Sequence, residues 1–313
     1  MRSLYCAISY ICNEQCVFCP CSEEGSFTMP SLTYSEICRA IDQSIEKKQI
    51  ENVLLSGGEP TLHPDFFKIV KHIADKGLRI GLLTNAIKLS STEFVEKLDL
   101  NCDLKQTDIT IAFHSHIPQK HDYLTKHKNS FHLSCRGAMN LMQKDAKLSV
   151  KYNIVNYTYR GLADYVDWVN KNFPEKVTLL LANIDMNGVA LKNNDIAGVH
   201  FNESMPFLTS ALDRVIEARK KNLKRNVKVL TTPLCLIDPY YWGFIENKTQ
   251  EIIDAYIVPD TEKNNPLLYD VSSGSGPMFA ACTACEVKSF CPGTWRSFKN
   301  NYDESILRRI FAQ

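Results

Sequence analysis

The sequence predicts an α/β fold of parallel strands, on two observations. Segments of strand character alternate with segments of helical apolar spacing about six times over residues 2–183. The chemically distinctive stretches, Cys12 to Cys19, Gly57 to Pro60 and Thr84-Asn85, each follow the C-terminal end of a predicted strand. Such alternation implies right-handed crossovers between parallel strands, and functional groups in these sheets gather at strand C-termini. Six units form either an open doubly wound sheet or a partial barrel.

Taken in order, residues 2–10 read as a strand that delivers a cysteine loop. Thr33-x-x-Glu36 is a capping box, with Ile37, Ala40, Ile41 and Ile45 behind it at helical spacing. Residues 52–56 are a short buried strand ending in Gly57-Gly58-Glu59-Pro60. Pro64 opens a helix with Phe67, Val70, Ile73 and Ala74 inward and Gly77 as its stop. Residues 79–84 form the third strand, and Ser90-x-x-Glu93 caps the next helix. Further strands fall near 108–113, 148–155 and 177–183, with helices near 130–145 and 161–173 between them. The pattern changes after residue 200. A helix near 204–222 runs into Arg219, Lys220, Lys221, Lys224, Arg225 and Lys228, read as a solvated end favoured by the helix dipole. Cys235, a long irregular segment containing the flexible Ser272 to Pro277, and a second group of cysteines follow. Residues 1–200 are therefore expected to form the core domain and residues 201–313 a metal-dependent C-terminal region.

The 313 residues suffice for one large domain or two. A net charge of +1 gives no global attraction to nucleic acid or acidic membranes. No apolar run reaches the ~20 residues that span a bilayer. Residues 1–5 lack the apolar core of a signal peptide, so a cytoplasmic location is expected. In that compartment the twelve cysteines read as metal ligands and free thiols rather than disulfides.

Cys12, Cys16 and Cys19 stand in a C-x3-C-x2-C pattern. Three close thiolates wrap one metal centre, and the remaining ligand comes from elsewhere or from a substrate. The spacing favours an iron–sulfur cluster, while a zinc site would need a further His or Cys. Cys21 is nearby, but Pro20 stiffens the backbone between it and Cys19. Cys282-x2-Cys285-x5-Cys291, with Cys235, supplies four thiolates and no open position. That set suits a closed cluster that stores or passes electrons, or a structural zinc knot.

The cysteine triplet after a first strand, followed by Gly57-Gly58-Glu59-Pro60 after a second, resembles the radical S-adenosylmethionine superfamily. The resemblance implies a partial (β/α)6 TIM barrel. It implies a 4Fe–4S cluster on Cys12, Cys16 and Cys19, with one open iron for S-adenosylmethionine, and a 5′-deoxyadenosyl radical that takes hydrogen from a substrate. It places the methionyl ammonium at Glu59 and the Gly57–Gly58 backbone, where glycines admit close approach. Phe18 lies against the adenine, Asn85 is a polar contact, Arg136 meets the methionyl carboxylate and Asn153 the ribose. Leu180, Ala182 and Ile184 read as strand core that also fits an adenine slot.

The C-terminal set resembles part of the SPASM extension of peptide-modifying radical enzymes. Trp295 stands where another cysteine is expected and none follows Cys291, so one auxiliary cluster is implied, a twitch-like arrangement. The words Cys16-Val17-Phe18-Cys19, Ser56 to Leu62, His121-Asp122-Tyr123, Ser130-Phe131 and Pro233-Leu234-Cys235-Leu236 resemble the maturases of His-Xaa-Ser peptide systems, as does Cys282 to Gly293. That implies a precursor peptide substrate, a flavodoxin or ferredoxin donor and, in some systems, a partner maturase. The product is then a crosslink or an inverted centre. Two other readings stand beside it: the same chemistry on a small molecule or tRNA, and a non-catalytic metal-stabilised binding protein.

Overall fold

The computed structural model describes residues 2–19, 31–246, 255–259, 266–270, 275–276, 279–295, 297–298 and 307. Cys21 and most of the Ser272 to Pro277 stretch lie outside them.

Seven parallel strands form the body of one sheet: β1 (Ser3–Ser9), β2 (Asn52–Gly57), β3 (Arg79–Thr84), β4 (Asp108–Ala112), β5 (Lys147–Ile154), β6 (Thr178–Asn183) and β7 (Val227–Leu230). Their spatial order follows chain order. A doubly wound sheet would reverse at a switch point, so the structure selects the barrel-type winding. Among the described residues nothing pairs β7 with β1, and the barrel is partial. The free edge of β1 is instead met in parallel by β8 (Ala255–Pro259), which β9 (Pro266–Asp270) joins antiparallel.

The helices α1 (Tyr34–Lys48), α2 (Phe66–Asp75), α3 (Thr92–Asn101), α4 (Pro118–Thr125), α5 (Ser130–Gln143), α6 (Leu162–Asn172), α7 (Val189–Lys192), α8 (Asn194–Ala197) and α9 (Phe201–Lys220) fill the connections. Strand alternation sorts the two faces. Leu4, Cys6, Ile8, Val53, Leu55, Ile109, Ile111, Leu148, Val150, Leu179 and Leu181 turn outward into one continuous core with the helices. Tyr5, Ser56, Thr110, Lys151, Asn153 and Leu180 occupy the other, concave face.

Local signals held with small shifts. Thr33 and Glu36 make the predicted reciprocal capping box. α3 is capped by Ser91 rather than Ser90, because Ser90 closes a 3-10 turn just before it. In α2 the helix begins at Phe66, and Phe67 lies at the margin against Phe94. The 20-residue α9 packs on α6, and the short β7 pairs with β6. Among the described residues no helix is long and apolar enough to cross a membrane.

The basic run is the main departure. Arg225 is buried at 1% exposure, and Lys228 bonds Glu246 at 2.6 Å. The Arg225 guanidinium donates to the carbonyls of Val169, Phe173, Pro174 and Val177 and to Asn170 Oδ1, at 2.6–3.3 Å. Those carbonyls belong to the end of α6 and the turn after it, where Val169 O and Pro174 O also accept from the N–H of Phe173 and Val177. The buried cation adds donors where the helix runs out of them, which composition alone does not reveal. Replacing Arg225 with Met should destabilise the protein by about 3 kcal/mol in urea unfolding, since several buried acceptors lose a donor together. A loss below about 1 kcal/mol would show that water replaces the guanidinium.

Candidate active site

The cysteine loop, residues 10–19, has no regular structure, so neighbouring backbone holds its shape. Gly58 N–H donates to Ser9 O at 2.7 Å and Glu59 N–H to Ile11 O at 2.9 Å. On the far side, Gln15 and Val17 N–H donate to the carbonyls of Thr125 and Leu124, both at 2.9 Å. Asn193 Nδ2 donates to Val17 O at 2.9 Å. The loop is thus clasped between the end of β2, the end of α4 and the segment after β6.

The glycines serve this clasp. Gly57 has φ +117°, and a Cβ there would lie 2.2 Å from Ser9 O. A Cβ on Gly58 would lie 2.3 Å from Ile11 O and 2.6 Å from Tyr10 O. The close approach expected toward a ligand is, in the structure, an approach to the cysteine loop's own backbone.

Glu59 is 1% exposed. Its Oε1 accepts from Thr61 N at 3.1 Å, Thr61 Oγ1 at 2.5 Å and Thr84 Oγ1 at 2.8 Å, and its Oε2 accepts from Asn85 N at 2.8 Å. Burial raises its pKa, and these four bonds oppose the rise. Asn85 in turn donates from Nδ2 to Asn13 Oδ1 at 2.7 Å and reaches Cys12 Sγ at 4.0 Å. Thr84 and Asn13 lie in stretches that the sequence marks, Thr84-Asn85 and Cys12 to Cys19, but the sequence assigned neither side chain a role.

Glu14, inside the triplet, likewise had no role assigned from sequence. It is 5% exposed, and Oε1 has no hydrogen-bond partner among the described residues. Cys16 Sγ donates to its Oε2 at 3.5 Å. Burial pushes Glu14 up to about 8, and pushes Cys12 up to about 12. Cys16 rises well above its usual range, by burial first and then by the nearby Glu14, Cys19 and Cys12. After burial, the charged neighbours acting on these groups are carboxylates and thiols. No three candidate ligands among the described residues converge on a single-ion site.

Phe18 is buried, with its ring edge-on to His114 at 4.7 Å. It packs with Val17, Leu124, Val155, Met186 and Ile184 in a cluster separate from the main core. His114 backbone N–H donates to His121 Nδ1 at 3.1 Å, and the two imidazoles stack at 5.5 Å. Burial lowers His121 to about 4 and His114 well below its usual value, so both are neutral at pH 7. Asp122 accepts from Asn129 N, Ser130 Oγ and Phe131 N, and so ties α4 to α5 behind the loop.

Two expected contacts lie apart or in a different relation. Arg136 is exposed on α5 and reaches Ser90 Oγ at 3.5 Å; the structure does not bring it to the cysteine loop. Its helix turns Ser134, Gly137 and Ala138 inward, which sends residue 136 outward. Asn153 lies on the concave face of β5 beside Ala182. Leu180 and Ala182 share that face and Ile184 touches the Phe18 cluster, so none of the three belongs to the outward core of Leu179 and Leu181.

At the other end of the chain, Cys235, Cys282, Cys285 and Cys291 line one pocket with Pro233, Phe279 and Val287. Cys291 Sγ accepts from Leu234 N at 3.5 Å and Gly293 N at 3.4 Å. Trp242 donates to the carbonyls of Leu234 and Ile237, which fixes the turn carrying Cys235. Trp295 donates from Nε1 to Asn183 O at 2.8 Å, and Met186 N–H donates to Ser297 Oγ at 3.0 Å. The C-terminal region is thereby seated on the end of β6. Trp295, standing where a cysteine was expected, is one of its anchors.

Residues 7–169 match the Radical SAM superfamily, more than half of the 313-residue chain. The chain belongs to this superfamily. An AdoMet-dependent heme synthase of Methanosarcina barkeri is 42% identical over 89 residues, 28% of this chain and 24% of that protein. A PqqA peptide cyclase of Bradyrhizobium diazoefficiens is 26% identical over 186 residues, 59% of this chain and 47% of that protein. The chain spans less than half the length of either relative. Streptococcus suis SuiB bound to precursor peptide SuiA has the same fold, with a TM-score of 0.66 at 15% identity over 99% of this chain and 75% of that one.

Radical SAM membership implies a 4Fe–4S cluster and S-adenosylmethionine. The donor set fits: three thiols on one clasped loop, in acidic surroundings that an electropositive group would relieve. Gly58→Ala should push the loop off the end of β2. The expected result is lost iron at the Cys12, Cys16 and Cys19 site with iron retained at the C-terminal cysteines, read by metal analysis of anaerobically reconstituted protein. Unchanged iron at the first site would show that the clasp is not needed.

Proposed function

We propose that this chain is a radical SAM enzyme that modifies a ribosomally made peptide and carries one closed auxiliary cluster. The observation that carries the proposal is the single loop bearing Cys12, Cys16 and Cys19, clasped against Gly57 to Glu59 at the mouth of a partial barrel. When bound, the cluster and S-adenosylmethionine supply reductive carbon–sulfur cleavage and a 5′-deoxyadenosyl group that takes a hydrogen atom from the substrate.

The chain's own residues do the rest. Cys12, Cys16 and Cys19 hold three corners and leave one open. The backbone at Gly57, Gly58 and Glu59 receives the methionyl ammonium, and Glu59 keeps that backbone in place through the β3 end. Phe18, Leu180, Ala182 and Ile184 shape an apolar slot for adenine, with Asn153 and the neutral His114 toward the ribose. Exclusion of water by the Phe18 cluster protects a reactive group from quenching. Cys235, Cys282, Cys285 and Cys291 hold the auxiliary cluster, which accepts an electron or positions substrate. A flavodoxin or ferredoxin supplies the reducing electron, and a partner maturase acts in some systems.

The peptide assignment draws on the fold shared with a precursor-bound enzyme and on the likeness to a peptide cyclase. The likeness to a heme synthase favours small-molecule chemistry as the second reading. Co-expression with a short neighbouring open reading frame decides between them. The account expects either a crosslink, read as a loss of hydrogens in the peptide mass, or an inverted centre, read as uptake of one deuterium in deuterated water, and either is lost with Cys16→Ala. An unmodified peptide, together with turnover of a purified small molecule or tRNA, would transfer the assignment to the second reading.

A further inference from the structure

We propose that the C-terminal end of α4, around Lys120, Tyr123, Lys126 and Lys128, is the docking surface for a small acidic flavoprotein that delivers single electrons. The inference rests on the radical SAM reading, which calls for one electron from outside. The barrel mouth is closed to a protein carrier once cosubstrate and substrate fill it. Of the supports around the cysteine loop, β2 and β3 lie within the sheet and the Phe18 cluster is buried. The support that reaches solvent is α4. Gln15 and Val17, which flank Cys16, donate their N–H groups to Thr125 O and Leu124 O, both at 2.9 Å. Those carbonyls belong to the last two residues of α4, and exposed Lys126 follows them directly. A single hydrogen bond on either side of Cys16 therefore joins the loop to a surface helix, a short route for an electron.

The surface at this point has an aromatic centre and a charged rim, the make-up of a small transient interface. Tyr123 is 49% exposed and Tyr157 42%, and their rings pack at 4.8 Å. Such a pair suits the exposed apolar edge of a flavin. Lys120 Nζ lies over the Tyr157 ring at 5.8 Å, and Lys126 and Lys128 are exposed. Among the described residues none of these three lysines is ion-paired. Lys68, Lys76 and Lys144, beside other helices, are each held by an aspartate. Asp122, the one carboxylate in residues 118–130, is turned back onto the N–H groups of Asn129 and Phe131 and onto Ser130. Exposed Asp195 adjoins the patch through Asn156, and the three lysines outweigh it. Cations without counter-ions complement an acidic partner and steer its approach.

In the step, the carrier gives up one electron and the site on Cys12, Cys16 and Cys19 takes it; no covalent bond forms or breaks. Reduction is followed by stopped-flow absorbance on reconstituted holoenzyme, with either flavodoxin hydroquinone or photoreduced deazariboflavin, a small uncharged reductant. At low ionic strength, Lys126→Glu combined with Lys128→Glu should slow reduction by flavodoxin about 10-fold. Added salt should slow wild type and leave the double variant almost unaffected. Tyr123→Ser should slow flavodoxin at both salt levels. Deazariboflavin should reduce all three proteins alike. An unchanged flavodoxin rate in the folded double variant overturns the proposal, whatever the variant does to reduction by a ferredoxin or to precursor peptide binding. So does equal slowing with deazariboflavin, and so does a wild type that deazariboflavin reduces and flavodoxin does not. A wild type that deazariboflavin cannot reduce shows instead that the radical SAM reading fails, and the docking proposal with it.

Discussion

One buried carboxylate organises the mouth of this barrel. Glu59 leaves β2, turns inward and collects donors from its own 3-10 turn and from the end of β3. A carboxylate in that position would be costly without them, and with them it locks two strand ends together. Its backbone N–H meanwhile holds Ile11, and its partner Asn85 holds Asn13. The irregular loop that carries three thiols is therefore positioned by a hydrogen-bonded node, which glycine backbone lets approach closely. The remaining supports, Leu124, Thr125 and Asn193, come from connections after later strands. Much of the parallel winding is needed before the loop has a shape.

The node also concentrates acidic groups. Burial raises each of these groups first; Glu59 then raises Cys12 and Glu14, and Glu14 with the neighbouring thiols raises Cys16. Of the basic residues, Arg225 is committed to the carbonyls under α6 and Lys228 to Glu246.

Much of the fold was legible because periodicity reports burial directly. The strand–helix alternation, the Thr33 capping box and the three-thiol motif needed only local residues. The choice between an open sheet and a barrel was not local; it followed from resemblance and is settled by strand order. The solvated reading of Arg225 failed because its partners are carbonyls 48–56 residues away. Arg136 lies on the exposed side of α5 because helical phase, not sequence distance, decides which side it faces. β7 was missed between basic residues, where its two outward valines are a weak signal.

The two cysteine sets differ in what they leave open. Cys12, Cys16 and Cys19 sit on one loop at the barrel mouth, whereas the C-terminal four cysteines line one pocket. The most direct test is the electron paramagnetic resonance spectrum of reduced, reconstituted protein with and without S-adenosylmethionine. The account predicts two cluster signals, of which only one shifts on adding the cosubstrate. That signal should be absent from a Cys12→Ala, Cys16→Ala, Cys19→Ala variant. A cosubstrate-sensitive signal that survives in this variant would contradict the account.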